Sequence, residues 1–347
     1  GLERVFGGEA PTVSLDELES TDLILLVGSF EECQVAAVKA SQAARKGIKL
    51  VVLSMKPTLA DHLADVRLSP DNNTDFLKEV LAAVIEQGLA CQDLIQQRVN
   101  GFEELKGTLK GLVPGGEAKN LAELYGQAKR AIILVDGHEV TPGAVELLSN
   151  LALLTGKTGK PGSGITMITP GANRTGLSRL GVKMDARDLR AALRNGELRG
   201  LFIFNEDPVG AGLLTSQELQ AARLVVAVSP YKTPTTGSAH VVIPSSTPLE
   251  SGGTFIASDG RIRSFAPVMG SLAGVTTRDV IARMASALGV NSRTTQVAQA
   301  AADIKPVSAS GKAHFAIPED GEIFSPVPVM DPALRSFYTK LEKDGLR

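Results

Sequence analysis

Aromatic residues are scarce in this sequence: tryptophan is absent, and the aromatic share is only 4%. The core must therefore be built mainly from Leu, Val, Ile and Ala, which is typical of buried parallel sheets. A surplus of positive charge is also missing, since 36 Lys and Arg face 38 Asp and Glu among the 347 residues. General binding of nucleic acid needs a concentrated basic face and is therefore not expected.

Long apolar runs are missing as well. No run reaches the roughly 20 residues that are needed to cross a bilayer, and residues 1–13 contain no signal-peptide core. We therefore expect a cytoplasmic protein without direct membrane insertion, and any association with a membrane is expected to be made through a complex.

Residues that ligate metals or act as nucleophiles are few. Cys33 and Cys91 are the two cysteines, and they cannot ligate an iron–sulfur cluster alone because such a cluster usually takes four thiolates. The four histidines are scattered singly, without metal-ligand spacing. No G-x-S-x-G elbow or P-loop is present, and no G-x-G-x-x-G fingerprint follows a strand. We predict no catalytic residue, no metal ligand, and small, buried or half-buried thiols in a reducing compartment.

Continuous apolar runs alternate with helix-like segments, a pattern that indicates β-α-β units around a parallel sheet. Strands are predicted at residues 22–28, 48–54, 64–70, 130–136, 198–208, 223–229 and 239–245. Helices are predicted at residues 32–47, 73–88, 141–156, 185–197, 216–222 and 276–289, and the region 91–128 is predicted to be mainly helical. We therefore predict an α/β fold with two Rossmann-like parallel-sheet units. The expected ranges are a first domain at 1–160, a second at 161–290 and a C-terminal tail at 291–347, with the Gly- and Thr-rich residues 157–176 at the seam.

The two halves of the sequence share a pattern. Residues 49–70 and 223–245 each contain an apolar strand that ends in Ser, a turn with Lys and Thr, and a second short apolar strand. Residues 25–32 and 202–210 are similar in the same way. The pattern predicts two pseudo-symmetric units with matching carboxyl ends of their strands, which is where open parallel sheets bind ligands.

The turns after these strands offer candidate nucleotide contacts, each with a simpler structural explanation. Gly28 and Ser29 could meet a phosphate at the start of the next helix, or they could be ordinary small turn residues. Lys56 and Lys232 could neutralise phosphates, although solvated loop lysines are more common. The stretch "NTDF" is either a helix N-cap with Asp75 in the first turn, or Asp75 accepts a hydrogen bond from a ribose or a guanine edge. These motifs alone do not indicate an enzyme.

Taken in order, six segments resemble successive blocks of the molybdopterin oxidoreductase family, which includes formate dehydrogenases, nitrate reductases and the large G-type subunit of NADH:quinone oxidoreductase. The segments are "STDLILLVGSFEE", "GIKLVVLSMKPT", "ADVRLSPDNNTDFLKEVLAAVIEQG", "GKPGSGITMITPGANRTG", "NGELRGLFIFNEDP" and "AHVVIPSSTPLESGGTFIASDGRIRS". The resemblance runs over residues 15–290.

The resemblance implies that each Rossmann-like unit binds one half of a bis(guanine dinucleotide) molybdenum cofactor. It implies a first set of contacts made by Gly28, Ser29, Ser54, Lys56, Thr74 and Asp75. It implies a second set made by Asn205, Glu206, Asp207, Pro208, Ser229, Thr233 and Thr235. Four further residues would lie between the two sets: Gly137, His138, Gly162 and Gly164.

Several features depart from the family pattern. Phe30 stands where the family's first turn usually has the asparagine that meets the nucleotide, Met55-Lys56 replaces an Arg-rich turn, and Asn73 replaces the glycine of Gly-Thr-Asp. The family's N-terminal part, with its [4Fe–4S] cysteines and its metal ligand, has no counterpart, and the C-terminal barrel is missing or reduced to the tail. We therefore expect no cofactor bound by this chain alone. Molybdopterin guanine dinucleotide would belong to a parent protein, and the iron–sulfur cluster to its N-terminal part.

Three functions remain open. The first is part of the large, scaffold-like subunit of a respiratory NADH:quinone oxidoreductase with a vestigial cofactor cleft, which Phe30 favours. The second is part of a formate-dehydrogenase-like molybdenum enzyme that binds the guanine dinucleotide. In both, the partners would be other domains of the parent chain and other subunits of an electron-transport complex, and this chain alone is not expected to turn over. The third is a stand-alone nucleotide-binding α/β protein without catalysis.

The segment "SGGTFIASDGR", residues 251–261, resembles a hairpin that the family places near its cofactor channel. We expect it to line the cleft between the two units or to face absent domains, because Phe255 and Ile256 would otherwise form an exposed apolar edge.

Overall fold

The structure, a computed structural model, describes residues 2–6, 11–179, 186–290 and 313–316. Two compact units divide the chain. Among the described residues, the first comprises residues 2–6, 11–179, 256–262 and 313–316, and the second comprises residues 186–255 and 263–290.

Parallel strands form the centre of the first unit. They are β1 (Leu23–Val27), β2 (Lys49–Leu53), β3 (Val66–Leu68), β5 (Ala131–Asp136) and β6 (Gly164–Ile168), while β4 (Val99–Asn100) lies outside their sheet. The sheet has the order β3-β2-β1-β5-β6, and every pairing is parallel. The strand order therefore reverses between β1 and β5, which makes that position a topological switch point.

Helices and short turns surround this sheet. The α-helices are α1 (Leu2–Phe6), α2 (Gln34–Arg45), α3 (Asn73–Glu86), α4 (Gln92–Arg98), α5 (Phe102–Thr108), α6 (Gly116–Gln127), α7 (Pro142–Leu154) and α8 (Arg174–Arg179). Two 3-10 helices cover Leu15–Ser20 and Asp61–Leu63. The starts of two helices follow from their caps, because Asn72 accepts from the first turn of α3 and Thr141 accepts from that of α7, ahead of a proline at the first helical position.

The core lies on both faces of the sheet. Leu23, Leu25 and Val27 of β1 belong to a cluster with residues of α3, α6 and α7. Ile24 and Leu26 belong to a second cluster with the alanines of α2. Alternation of the side chains along a strand explains the division, and the burial of both faces explains why the strand is apolar throughout.

The second unit contains a smaller parallel sheet. Its strands are β7 (Gly200–Phe204), β8 (Leu224–Ser229) and β9 (Val241–Pro244), in that order. Its helices are α9 (Ala186–Arg194), α10 (Ser216–Gln220), α11 (Pro234–Ser238), α12 (Pro248–Ser251) and α13 (Thr277–Ala287). The predicted α/β class with parallel sheets is confirmed by these two units.

The predicted hairpin is formed by β10 (Gly253–Ile256) and β11 (Ile262–Phe265). Ile256 is only 3% exposed, and its N–H donates to Asn173 Oδ1 at 3.0 Å. The Phe255 ring is half-buried, and its centroid lies 5.8 Å from that of Phe265, which is exposed. That this hairpin lines a cleft stays a prediction.

A short segment of the predicted C-terminal tail packs on the first unit. Residues Ala313–His314 form β12, which pairs in parallel with β4. Phe315 is buried with its ring centroid 6.0 Å from that of Phe102. Asn150 of α7 donates to the Ala316 carbonyl at 2.7 Å and accepts from the Ala316 N–H at 3.1 Å. The rest of the predicted tail lies outside the described residues.

The sequence does not predict strands β4, β6 and β12. The seam expected at 157–176 contains β6, which pairs with β5 and so belongs to the first sheet. The domain ranges 1–160, 161–290 and 291–347 stay a prediction. None of the helices in the described part of the chain combines the length and the apolarity that crossing a bilayer requires.

Candidate functional site

The switch point of the first sheet brings several of the predicted site residues together. Gly28 and Ser29 follow β1, and Gly137 and His138 follow β5, the adjacent strand. Open parallel sheets bind ligands where the strand order reverses in this way. The candidate site is therefore the carboxyl ends of β1 and β5 with the turns that follow them, here called the first sheet edge.

Gly28 is needed for the close approach of the two turns. Its φ is +102°, a conformation that side chains disfavour, and its N–H donates to the Leu53 carbonyl at 3.0 Å. A Cβ at this position would lie 2.5 Å from the Cβ of Asp136. The turn after β1 is therefore pressed against the last residue of β5.

Two carboxylates accept from the backbone of this turn. The Ser29 N–H donates to Glu139 Oε2 at 2.6 Å, and the Phe30 N–H donates to Asp136 Oδ2 at 2.8 Å. The other oxygen of Asp136 accepts from the His138 N–H at 2.9 Å. No local sequence pattern indicates a role for Asp136 or Glu139 at this turn, because each is more than 100 residues from the turn it contacts.

Phe30, which replaces the family's asparagine, is buried beside these carboxylates. Its side chain is 1% exposed and belongs to the core cluster that contains Ile24, Leu26 and the alanines of α2. Its φ is +59°, which is uncommon for a residue with a bulky side chain. The position therefore has a left-handed backbone and contributes apolar packing, without a side-chain amide that a ligand could contact.

Lys56 completes the group around Glu139. Its Nζ lies 3.1 Å from Glu139 Oε1 and 3.7 Å from Glu31 Oε2. The hydrogen bond to Glu139 raises the pKa of Lys56. Burial acts to raise the pKa of Glu139, but the Ser29 N–H and the Lys56 ammonium outweigh it, so that the pKa lies below its usual value. Glu139 is therefore ionised at neutral pH.

Ser54, Thr74 and Asp75 have local structural roles. The Ser54 hydroxyl donates to the Lys56 carbonyl at 2.8 Å and accepts from the Lys56 N–H at 3.2 Å. The N–H groups of Thr74 and Asp75 donate to the Asn72 side chain at 2.9 and 3.3 Å, so Asn72, one residue before the predicted cap, begins the helix, and Asp75 lies in its first turn. Thr74 and Asp75 follow β3, the edge strand two positions away from β1.

The four residues expected between the sets of contacts all belong to the first unit. Gly137 is packed so closely that an added Cβ would lie 2.6 Å from the Thr169 side chain. A Cβ added at Gly162 would likewise meet Ser20, and one added at Gly164 would meet Thr12. His138 Nε2 is buried and has no hydrogen-bond partner in the described part of the chain.

In the second unit, Asn205 and Asp207 hold the turns of the sheet edge together. The Asn205 amide donates to Thr277 Oγ1 at 2.8 Å and accepts from the Ser245 hydroxyl at 3.0 Å. Asp207 accepts from the N–H groups of Gly210 and Thr235, both at 3.0 Å, and from the Thr235 hydroxyl.

The other predicted residues of the second unit lie around the same edge. Thr233 caps α11 by accepting from the Thr236 N–H at 3.2 Å. Glu206 is exposed, Pro208 is half-buried, and Ser229 is the last residue of β8. No described residue forms an ion pair with Lys232, which is exposed. That any of the predicted residues contact a cofactor stays a prediction.

The two units repeat the same local geometry, as the shared sequence pattern predicts. Ser229 contacts the Tyr231 N–H and carbonyl at 3.1 and 3.0 Å, as Ser54 contacts those of Lys56. The N–H of Asn205 donates to Val228 as that of Gly28 donates to Leu53, and both residues have positive φ. The repeat in the sequence therefore corresponds to a repeat in structure.

Metal ligation and thiol chemistry find no support in the described residues. Among them, no group of three or more His, Cys, Asp or Glu side chains is arranged to hold a metal ion. Burial, together with the nearby Asp136 and Glu32, raises the pKa of the half-buried Cys33 thiol to about 11. This thiol is therefore protonated at neutral pH and a poor nucleophile.

Comparison with known proteins identifies relatives over most of the chain. It is 26% identical over 324 residues to formate dehydrogenase H of Escherichia coli, covering 76% of this chain and 45% of that protein. It is 26% identical over 313 residues to the F420-dependent formate dehydrogenase subunit alpha of Methanocaldococcus jannaschii, covering 76% and 46%. The chain thus spans less than half the length of these two relatives. The solved structure of acetylene hydratase from Pelobacter acetylenicus matches the fold with a TM-score of 0.65 at 16% identity, covering 83% of this chain and 49% of that one.

The family comparison agrees with the resemblance that the six sequence segments carry. The molybdopterin oxidoreductase family matches residues 7–274, which include the five-stranded sheet, the three-stranded sheet and the hairpin. The chain belongs to the molybdopterin oxidoreductase family.

Proposed function

We propose that this chain forms the two α/β units of the large subunit of a formate-dehydrogenase-like molybdopterin oxidoreductase. The observation that carries the proposal is the family match over residues 7–274, together with the similarity to formate dehydrogenase subunits. Two of the relatives are named as alpha subunits, which supports the proposal that other subunits are the partners of this chain. The chemistry at the substrate would be supplied by the cofactor when bound.

The residues of the two units fit the nucleotide part of such a cofactor unequally. In the first unit, Glu139 already accepts from the Ser29 N–H and contacts Lys56, so the donors that would meet a phosphate are in use. This arrangement does not fit a bound diphosphate. In the second unit, no described residue forms an ion pair with Lys232, so a cation is available beside the sheet edge.

The large, scaffold-like subunit of an NADH:quinone oxidoreductase is the second candidate. The specific observation that favours it is the first sheet edge, where a buried Phe30 replaces the family's asparagine and the ionised Glu139 accepts from the Ser29 N–H. A subunit with a vestigial cofactor cleft would tolerate such replacements, because no ligand would have to be bound there.

The content of the native protein tests the two candidates. The full-length protein would be purified in its complex from its source, and its molybdenum and its extractable guanine-containing pterin would be quantified, alongside dye-linked formate oxidation. We expect about one molybdenum per large subunit and formate oxidation. Absence of both metal and pterin would overturn the proposal and favour the scaffold. Metal with pterin but without formate oxidation would place the chain in another branch of the family.

A further inference from the structure

The carboxylate of Glu139 occupies a position at the first sheet edge where an anion would be expected. One oxygen accepts from the Ser29 N–H at 2.6 Å, and the other lies 3.1 Å from Lys56 Nζ. A backbone N–H in a strand-to-helix turn and a nearby lysine are the groups that commonly bind phosphate. Here a side chain of the same unit satisfies both.

The position is also the one that the fold makes most favourable for a ligand. Ser29 follows β1 and Glu139 follows β5, and the strand order reverses between these two strands. In open parallel sheets the crevice at this point receives the ligand. Glu139 therefore reaches into the crevice from the neighbouring strand end.

The next donor of the turn is used in the same way. The Phe30 N–H donates to Asp136 Oδ2 at 2.8 Å, and the buried phenyl ring replaces a polar side chain. Both consecutive N–H groups after Gly28 are thus paired with carboxylates of the first unit, which leaves no backbone donor of Ser29 or Phe30 for a phosphate.

Charge opposes an added anion as well. Glu139 and Asp136 accept from this turn, and Glu31 directly follows Phe30 in the chain. Lys56 is the cation that contacts Glu139 and Glu31. A phosphate placed here would meet several carboxylates within a few ångströms and would share a single lysine with them. Like charges at such distances repel strongly when they are partly buried.

We propose that Glu139 is an internal anion that closes the phosphate position of the first unit, so that this unit does not accept a nucleotide diphosphate. The inference rests on the proposed function for its choice of ligand, a guanine nucleotide diphosphate. Any nucleotide of a bound cofactor would then be held by residues outside the first sheet edge.

The test is a titration of the full chain with GDP, followed by the amide NMR signals of Ser29 and Lys56. These signals report on the first unit alone, so that binding elsewhere does not obscure the result. We expect no saturable change in the wild-type protein up to millimolar GDP. In Glu139→Ala we expect saturable shifts of both signals and at least tenfold tighter local binding, weakened by salt.

Two further variants sharpen the test. Glu31→Gln removes a carboxylate that contacts the same lysine but leaves Glu139 in place, so it should resemble the wild type. Glu139→Gln keeps a hydrogen-bond acceptor for Ser29 without the charge, and it should gain weaker binding if Glu139→Ala fails to fold. Lys56→Ala in the Glu139→Ala background should abolish the gain.

Two results would overturn the inference. One is saturable binding to the wild-type protein at Ser29 as tight as that to the variants. The other is a folded Glu139 variant that gains no binding at this position. Neither result bears on the molybdenum and pterin content of the native complex, so the closed position and the proposed function can fail separately.

Discussion

Replacing Asn150 with alanine would test how the first unit holds residues 313–316. Asn150 is fully buried, and its amide makes two hydrogen bonds with the backbone of Ala316, which is buried too. The variant leaves a buried N–H and a buried carbonyl without partners. Each such loss costs about 1–3 kcal/mol, so we expect the free energy of unfolding of the first unit to fall by about 2–6 kcal/mol.

Ser149→Ala provides the matched control. Ser149 is equally buried on the same helix, but its hydroxyl donates at 2.7 Å to the Val145 carbonyl one helical turn before it. Its loss leaves the helix hydrogen bonds intact and is expected to cost less than about 1 kcal/mol.

The assay combines urea unfolding, followed by far-UV circular dichroism, with hydrogen exchange of the peptide that contains residues 313–316. In Asn150→Ala this peptide should exchange faster than in the wild type, whereas Ser149→Ala should leave its exchange unchanged. Equal urea midpoints for the two variants, with unchanged exchange of the peptide, would refute the view that Asn150 holds this segment.

Three further predictions follow from the local geometry. Gly28→Ala should destabilise the protein by at least about 2 kcal/mol, since it adds a side chain at positive φ against the end of β5. The control Gly47→Ala is also at positive φ but has open space around it, and it should cost about 1 kcal/mol. Equal urea midpoints for the two variants would contradict the steric role of Gly28. Lys56→Ala and Asp75→Ala remove exposed side chains, and each should change the unfolding free energy by less than about 1 kcal/mol; a loss of several kcal/mol in urea melts would show that these turns depend on them. Alkylation of Cys33 at pH 8 should be about 100-fold slower than that of an unhindered cysteine and should accelerate up to about pH 11, because its raised pKa keeps it protonated; mass spectrometry with iodoacetamide would measure the rate, and a rate equal to that of a model peptide would count against the burial of this thiol.

Much of the secondary structure could be predicted from the sequence because its signals are local. Apolar runs at 22–28 and 130–136 predict buried strands, and the structure has β1 and β5 there. Asn72 and Thr141 begin helices by accepting hydrogen bonds from residues two or three positions ahead. The strand β6 was not predicted, because its Gly-Ile-Thr-Met-Ile sequence lies within a Gly- and Thr-rich region that is typical of loops.

The family resemblance and the internal repeat were also available from the sequence, since both depend on the order of short segments. The repeat predicts equivalent turns after β2 and β8, and Ser54 and Ser229 make the same pair of contacts in them. Which residues fill the space beside those turns does not follow from the repeat.

The contacts between distant segments, at the first sheet edge and around residues 313–316, are decided by the tertiary structure alone. Glu139 contacts Ser29 across 110 positions of the chain, and Ala316 contacts Asn150 across 166. Helix caps and apolar periods act over a few residues, and they hold whatever the rest of the chain does. A hydrogen bond between distant segments depends instead on which strands are neighbours and where each one ends, which is set only when the whole sheet has packed.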